Sequence, residues 1–212
     1  MRMKWHGHSC FEVSGKVKVL TDPHDGHSIG LTPPRTAPDV VLVSHDHYDH
    51  NAVSAVKGTP AVVKGAGEHH EKGVRILGVE TCHDEMGGSK RGKNVAFVFE
   101  LDGVRFAHMG DLGHVPTGEQ VAHIGRVDIL MVPVGGLYTV DAKGAMETVA
   151  KIGPRIAIPM HFKFGGLKLA IAPLKEFTKL YPESVEVREV GSEIEFEAED
   201  LPTSMEIWAF GL

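Results

Sequence analysis

Apolar positions along this chain fall into short runs separated by Gly, Pro, Asp and Asn, with helical spacing in only two stretches. Met3 to Trp5, Cys10 to Val13 and Val17 to Leu20 read as strands, the last two joined by a hairpin turn at Ser14-Gly15. From His24 to Pro38 the chain is rich in Gly and Pro and reads as a loop. Val40-Val41-Leu42-Val43 is an unbroken apolar run of the kind that forms a buried strand, and Ala61 to Lys64 is another strand. A short helix is expected between them, from His50 to Val56. Arg75 to Thr81, Asn94 to Leu101 and Val104 to Ala107 follow as strands, the last two joined tightly at Asp102-Gly103. Asp128 to Val132 is a buried strand, Asp141 caps a helix running to about Ile152, and Arg155 to Pro159 is extended. Leu174, Phe177 and Leu180 recur at helical spacing behind Pro173, which predicts a packing helix over 173–180. Val185 to Val190 and Glu193 to Glu197 suggest a final hairpin around Gly191-Ser192, and the tail from Asp200 carries no clear pattern.

The 212 residues suit a single domain, 1–212, built as two related halves of roughly 1–110 and 111–212. An apolar fraction of 42% and a charged fraction of 24% are those of an ordinary globular protein, and no run approaches the length of a membrane span. The N-terminus, Met1 to His6, lacks a secretory apolar run and leads into strand-like sequence, so a cytoplasmic location is expected. A net charge of −6 without a basic stripe makes nucleic acid an unlikely partner. Cys10 and Cys82 are too few for a disulfide framework and lack zinc-site spacing, so both are expected as free thiols.

The chemistry concentrates in Ser44-His45-Asp46-His47-Tyr48-Asp49-His50. Strand residues alternate between faces, so a cluster this dense belongs in the irregular segment where the strand ends. There His45 and His47 could face one ion and Asp49 and His50 another. Glu68-His69-His70-Glu71 is a second cluster of possible ligands, but its Gly flanks and lack of apolar partners favour an exposed connection.

The pattern His-x-His-x-Asp-His at 45–50 resembles the signature of the metallo-β-lactamase-fold superfamily of metal-dependent hydrolases. Thr81-Cys82-His83, His108-Met109-Gly110-Asp111 and Pro159-Met160-His161-Phe162 match the family's later segments in order. Gly7-His8-Ser9-Cys10 and the stretch Val132 to Thr139 are most similar to the branch that holds the ascorbate-6-phosphate lactonases.

The resemblance implies a four-layer αββα sandwich of the α/β (α+β) class, with the metal site along one edge. It implies His45, His47 and His83 on one divalent ion, Asp49, His50 and His161 on a second, and Asp111 between them. His69 and His70 are rivals of His83, which only 32 residues separate from His50. Zinc is the first expectation, with manganese or iron also suited to such ligands. Asp49 would orient the attacking water, with His114 assisting proton transfer ahead of His8 and His108. Asp22 and His8 would support the ligands from behind. The expected activity is hydrolysis of a small ester, lactone or phosphorylated metabolite. Alternatives are a phosphodiesterase or nuclease, a non-catalytic metal-binding protein, or a di-iron redox protein; the redox proteins carry Glu where this chain has His47. The partner is a small-molecule substrate, with self-assembly into a homo-oligomer an open expectation.

Overall fold

In the computed structural model, which describes residues 1–212, the chain opens with three antiparallel strands. They are β1 (Arg2–Trp5), β2 (Phe11–Ser14) and β3 (Lys18–Thr21). Parallel strands β4 (Val40–Val43) and β5 (Ala61–Lys64) extend this sheet. Side chains alternate as strand geometry requires. Met3, Trp5, Phe11, Val13, Val19, Val40, Leu42 and Val63 face the main core, while Leu20, Val41 and Val43 face the other way with Cys10.

A four-stranded antiparallel meander follows: β6 (Gly67–Glu71), β7 (Val74–Cys82), β8 (Lys93–Leu101) and β9 (Val104–His108). After α1 (Gly118–Ile124) come β10 (Ile129–Pro133), α2 (Ala142–Ile152), β11 (Ile156–Met160) and the single-turn α3 (Lys175–Thr178). The last elements are β12 (Val187–Gly191), β13 (Glu193–Glu195) and β14 (Glu206–Phe210). The eight-stranded sheet has the order β12-β14-β11-β10-β9-β8-β7-β6, and the six-stranded sheet has the order β13-β1-β2-β3-β4-β5.

The sheets share one core of 44 buried residues drawn from both. Strand β8 is buried at every position from Asn94 to Phe99, as befits a strand covered on both faces in the interior of its sheet. Helix α1 packs on β7 and α2 on β10. The six-stranded sheet has a thinner outer cover, the 3-10 turn Val53–Ala55, with Val53 and Val56 on the Leu20–Val41–Val43 face. These are the layers of the metallo-β-lactamase fold. No helix is long and apolar enough to cross a membrane.

Several local expectations change. The final hairpin does not form: β12 pairs with β14 in one sheet, β13 with β1 in the other, and the chain crosses at Gly191-Ser192. Residues 187–195 are largely polar, with Val187 exposed and, of the apolar side chains, only Val190 and Ile194 partly buried, so each strand gains more by docking on an existing sheet edge than by pairing with the other. The patternless tail supplies β14, whose Ile207 to Phe210 are buried between β11 and β12. The expected exposed connection at 65–73 contains edge strand β6. The helices expected over 50–56 and 173–180 shorten to one 3-10 turn and one α turn. Helix α1 was not expected, although Thr117 and Gln120 form a complete capping box at its start.

Candidate metal centre

The loops after β4, β7, β9 and β11 carry the cluster Ser44–His50, His83, Asp111 and His161. The β1–β2 connection adds His8, and Asp22 follows the end of β3. Bringing six segments together demands close backbone approach. A Cβ on Gly113 would lie 2.2 Å from the His83 carbonyl carbon, and one on Gly135 would lie 2.1 Å from the His161 oxygen. Only glycine permits either contact. Three non-glycine residues here adopt positive φ: His8 at 57°, Asp22 at 40° and His161 at 52°. Such backbone is costly and persists where surrounding structure enforces it.

Asp111 is the hub. Its Oδ2 lies 3.3 Å from Nε2 of His50, His83 and His161, and 3.9 Å from Nε2 of His45. Two trios of imidazoles flank it, His45-His47-His83 and His8-His50-His161, with ligand atoms in each within 4.8 Å of one another. Asp49 Oδ2 sits 3.2 Å from His8 Nε2 and 3.7 Å from His50 Nε2.

Asp22 sets two of these rings. His50 Nδ1–H donates to Asp22 Oδ2 at 2.9 Å, which turns Nε2 toward Asp111. The Ser44 hydroxyl donates to the same oxygen at 2.6 Å and lies 2.9 Å from His45 Nδ1, whose N–H it accepts. The Ser44 N–H closes on Asp22 Oδ1 at 2.8 Å. One buried carboxylate therefore orients His50 directly and His45 through Ser44. Asn94 does the same for Asp111: its Oδ1 accepts the Asp111 N–H at 2.9 Å, and its Nδ2 donates to Met109 O and Thr81 Oγ1. Sequence reasoning assigned no role to Ser44 or Asn94. The available signal for Asn94 was an amide in an otherwise apolar strand.

The electrostatics follow from this crowding. Burial drives His50 toward neutrality, but Asp111 and Asp22 outweigh it and hold the imidazole well above its ordinary value. Burial and His161 push His8 down to about 3, and burial and His50 do the same to His45. Burial opposes ionisation of Asp111, yet His161 and His50 keep it well below the usual carboxylate range. Asp49 is likewise held low, the hydrogen bond from His8 overcoming its burial.

His45 Nε2, His50 Nε2 and Asp111 Oδ1 are buried without a hydrogen-bond partner. An unpaired buried polar atom costs about 1–3 kcal/mol, and three around one carboxylate make a poor protein core. Neutral imidazole nitrogens around a carboxylate are a good donor set for a divalent cation. The residues present fit a metal.

The other sequence candidates lie elsewhere. His114 Nδ1–H donates to Val115 O at 2.9 Å and its Nε2 accepts from Cys82 N at 3.2 Å, so both nitrogens serve the backbone. His108 Nε2–H donates to Ser9 O at 2.8 Å and its Nδ1 accepts from Gly110 N at 3.2 Å. Neither ring has a free nitrogen for proton transfer. His69 and His70 are on edge strand β6, outside the cluster that contains His83. Cys10 and Cys82 are free thiols.

A cavity of about 260 Å³ opens over the centre, lined by His47, Asp49, His83, Asp111 and His161 together with Tyr48, Arg91, Tyr138 and Leu169. It admits a small molecule.

Known proteins with this arrangement agree in kind. The family model "Beta-lactamase superfamily domain" matches residues 2–161. A UPF0173 metal-dependent hydrolase of Thermoplasma acidophilum is 34% identical over 187 residues, 76% of this chain and 83% of that protein. Another, from Methanoregula boonei, is 32% identical over 187 residues and covers 76% of this chain and 82% of its own. A metallo-β-lactamase-superfamily crystal structure from Thermotoga maritima superposes with a TM-score of 0.82 at 37% identity, over 99% of this chain and 97% of that one.

Proposed function

The chain belongs to the UPF0173 metal-dependent hydrolases of the metallo-β-lactamase superfamily, and on that footing we propose that the centre around Asp111 holds two divalent ions and hydrolyses a small ester, lactone or phosphorylated metabolite. His45, His47 and His83 would hold one ion and Asp49, His50 and His161 the other, with Asp111 available to either. Zinc is the first choice, in keeping with the zinc dependence suggested in the description of the Thermotoga maritima structure. A bound divalent ion would supply a water acidified enough to furnish hydroxide near neutral pH.

The chain's own residues then have distinct tasks. Asp49, kept ionised by the hydrogen bond from His8, would orient the nucleophilic water. Asp22 and Ser44 hold His50 and His45 in the tautomers that leave Nε2 unprotonated. Tyr48, Tyr138 and Leu169 narrow the cavity around a bound substrate. His47 stands where the redox relatives carry Glu, which favours hydrolysis over oxygen chemistry.

The observation that carries this reading is the group of buried, unpartnered nitrogens facing Asp111. It is tested by elemental analysis of protein purified without added metal, beside a His161→Ala variant, followed by a panel of ester, lactone, thioester and phosphodiester substrates. Two ions in the wild type, one in the variant and turnover of one substrate class are expected. Metal without any turnover sinks the hydrolase reading, and bound iron with redox activity replaces it.

A further inference from the structure

Beside the cavity over the centre runs a second groove of about 390 Å³, and its ionisable lining is mostly positive: Lys64, Arg91 and Lys93, with Asp46, His45 and His47. This stands out on a chain with 28 acidic and 22 basic residues. Arg91 and His47 line both the groove and the metal cavity, so the two spaces meet at those side chains.

The cations differ in what already satisfies them. Lys64 Nζ pairs with Asp46 Oδ1 at 2.7 Å, and Lys93 Nζ with Glu80 Oε1 at 3.0 Å. Arg91 has no carboxylate within 4 Å. It donates once to Leu137 O at 3.0 Å and lies over the Tyr138 ring at 5.1 Å, leaving most of its five N–H donors uncommitted.

Its position is nevertheless built. The Asp84 carboxylate accepts four backbone N–H groups, from Met86, Gly88, Lys90 and Arg91, at 2.7–2.9 Å. The His83 N–H donates to Gly92 O at 3.1 Å and closes the loop. The loop that presents His83 to the centre therefore presents Arg91 to the groove.

We propose that the groove is an oxyanion subsite, in which Arg91, seconded by Lys64 and Lys93, grips a carboxylate or phosphate of the substrate while the scissile bond lies over the metal centre. A guanidinium fork matches either group in bidentate fashion, and a cleft lined by one sign of charge concentrates ligands of the other. This assignment rests on the hydrolase reading for its catalytic half only.

The test uses metal-loaded protein, with metal content verified in every variant, and two esters sharing one leaving group: neutral 4-nitrophenyl acetate and anionic mono-4-nitrophenyl succinate. Wild type is expected to favour the anionic ester by tenfold or more in kcat/KM. Arg91→Ala should cut that preference at least tenfold, chiefly through KM, and Lys64→Ala should cut it less. No preference in the wild type, or a preference unchanged in both variants, overturns the subsite.

Calorimetric titration with succinate and with inorganic phosphate keeps the proposal decidable if neither ester is hydrolysed. Binding that weakens tenfold in Arg91→Ala upholds the groove while the hydrolase reading falls, whereas absent or equal binding overturns the groove. Tighter binding of succinate than of phosphate assigns the carboxylate class, and the reverse order assigns phosphate.

Discussion

The two imidazole trios flanking Asp111 are chemically alike and physically different. In the inner trio, His8, His50 and His161 are all buried; Asp22 fixes the His50 ring and His8 is tied to Asp49, while His161 Nδ1 has no partner. In the outer trio His47 is exposed and its ring has no protein hydrogen bond, His83 Nδ1 has no partner, and only His45 is oriented, through Ser44. Ligands buried and fixed in advance lose little freedom on binding, so Asp49, His50 and His161 should hold an ion more tightly than His45, His47 and His83, of which His47 is exposed to exchange with solvent.

The largest perturbation removes what the trios share. Asp111→Ala should strip both ions and lower turnover by more than the roughly 100-fold that follows loss of an outer-shell partner; retention of two ions by elemental analysis would break the symmetry around this residue. Next is Asp22→Ala, which frees His50 and His45 together and should weaken metal binding about 10–100-fold in a competition against a chelating dye. Asp22→Asn is its control, since Asn tolerates the positive φ at this position. His47→Ala should sharpen the contrast by removing one ion per chain and leaving the inner one in place. Loss of both ions together would show that the trios act as a single unit.

A smaller effect concerns pH in metal-free protein. His8 and His45 have folded pKa values of about 3, below the ordinary 6.5 of an unfolded chain, so between these values the unfolded state binds more protons. Stability then rises with pH, by up to about 1.4 kcal/mol per pH unit for each proton. His50 has the opposite sign: its folded value is raised, so its contribution is complete below 6.5 and is lost as pH climbs through the folded value. Urea denaturation across pH 5 to 8 should find maximum stability near neutrality, and a flat profile would refute the assigned charges. The smallest effect belongs to His114→Leu, which removes the acceptor of the Cys82 N–H for about 1–3 kcal/mol of stability. The pH profile of hydrolysis should not move, because this ring lies outside both trios.

Legibility in the sequence followed locality. The strand before His45 and the cluster after it were readable because apolar runs and dense ligand spacing are properties of neighbouring residues. The meeting of His8 with His161 was not, since it depends on positive φ at both residues and on packing of Trp5 against Phe162 at 5.3 Å. His114 looked functional from its place three residues after Asp111, but the turn directs its ring to the Cys82 backbone. Strand β14 is not legible locally because its place between β11 and β12 is set by partners distant in sequence. Val185 to Val190 and Glu193 to Glu197 suggest a hairpin because that is the nearest local pairing, and only the sheet edges at β14 and β1 offer a better one.

That crossing between sheets sets a timetable for the growing polypeptide. Strand β1 has its outer partner in β13, with Met3 opposite Ile194, so the first sheet keeps an open edge until residue 194 has left the ribosome. At about 5–20 residues per second that interval is roughly 10–40 s, during which the apolar underside of β1 and β2 lacks its final neighbours. The same long-range closure predicts slow refolding in dilute solution and a nascent chain that depends on chaperones. A circular permutant that places β13 directly ahead of β1 would turn this last contact into the first and shorten the wait.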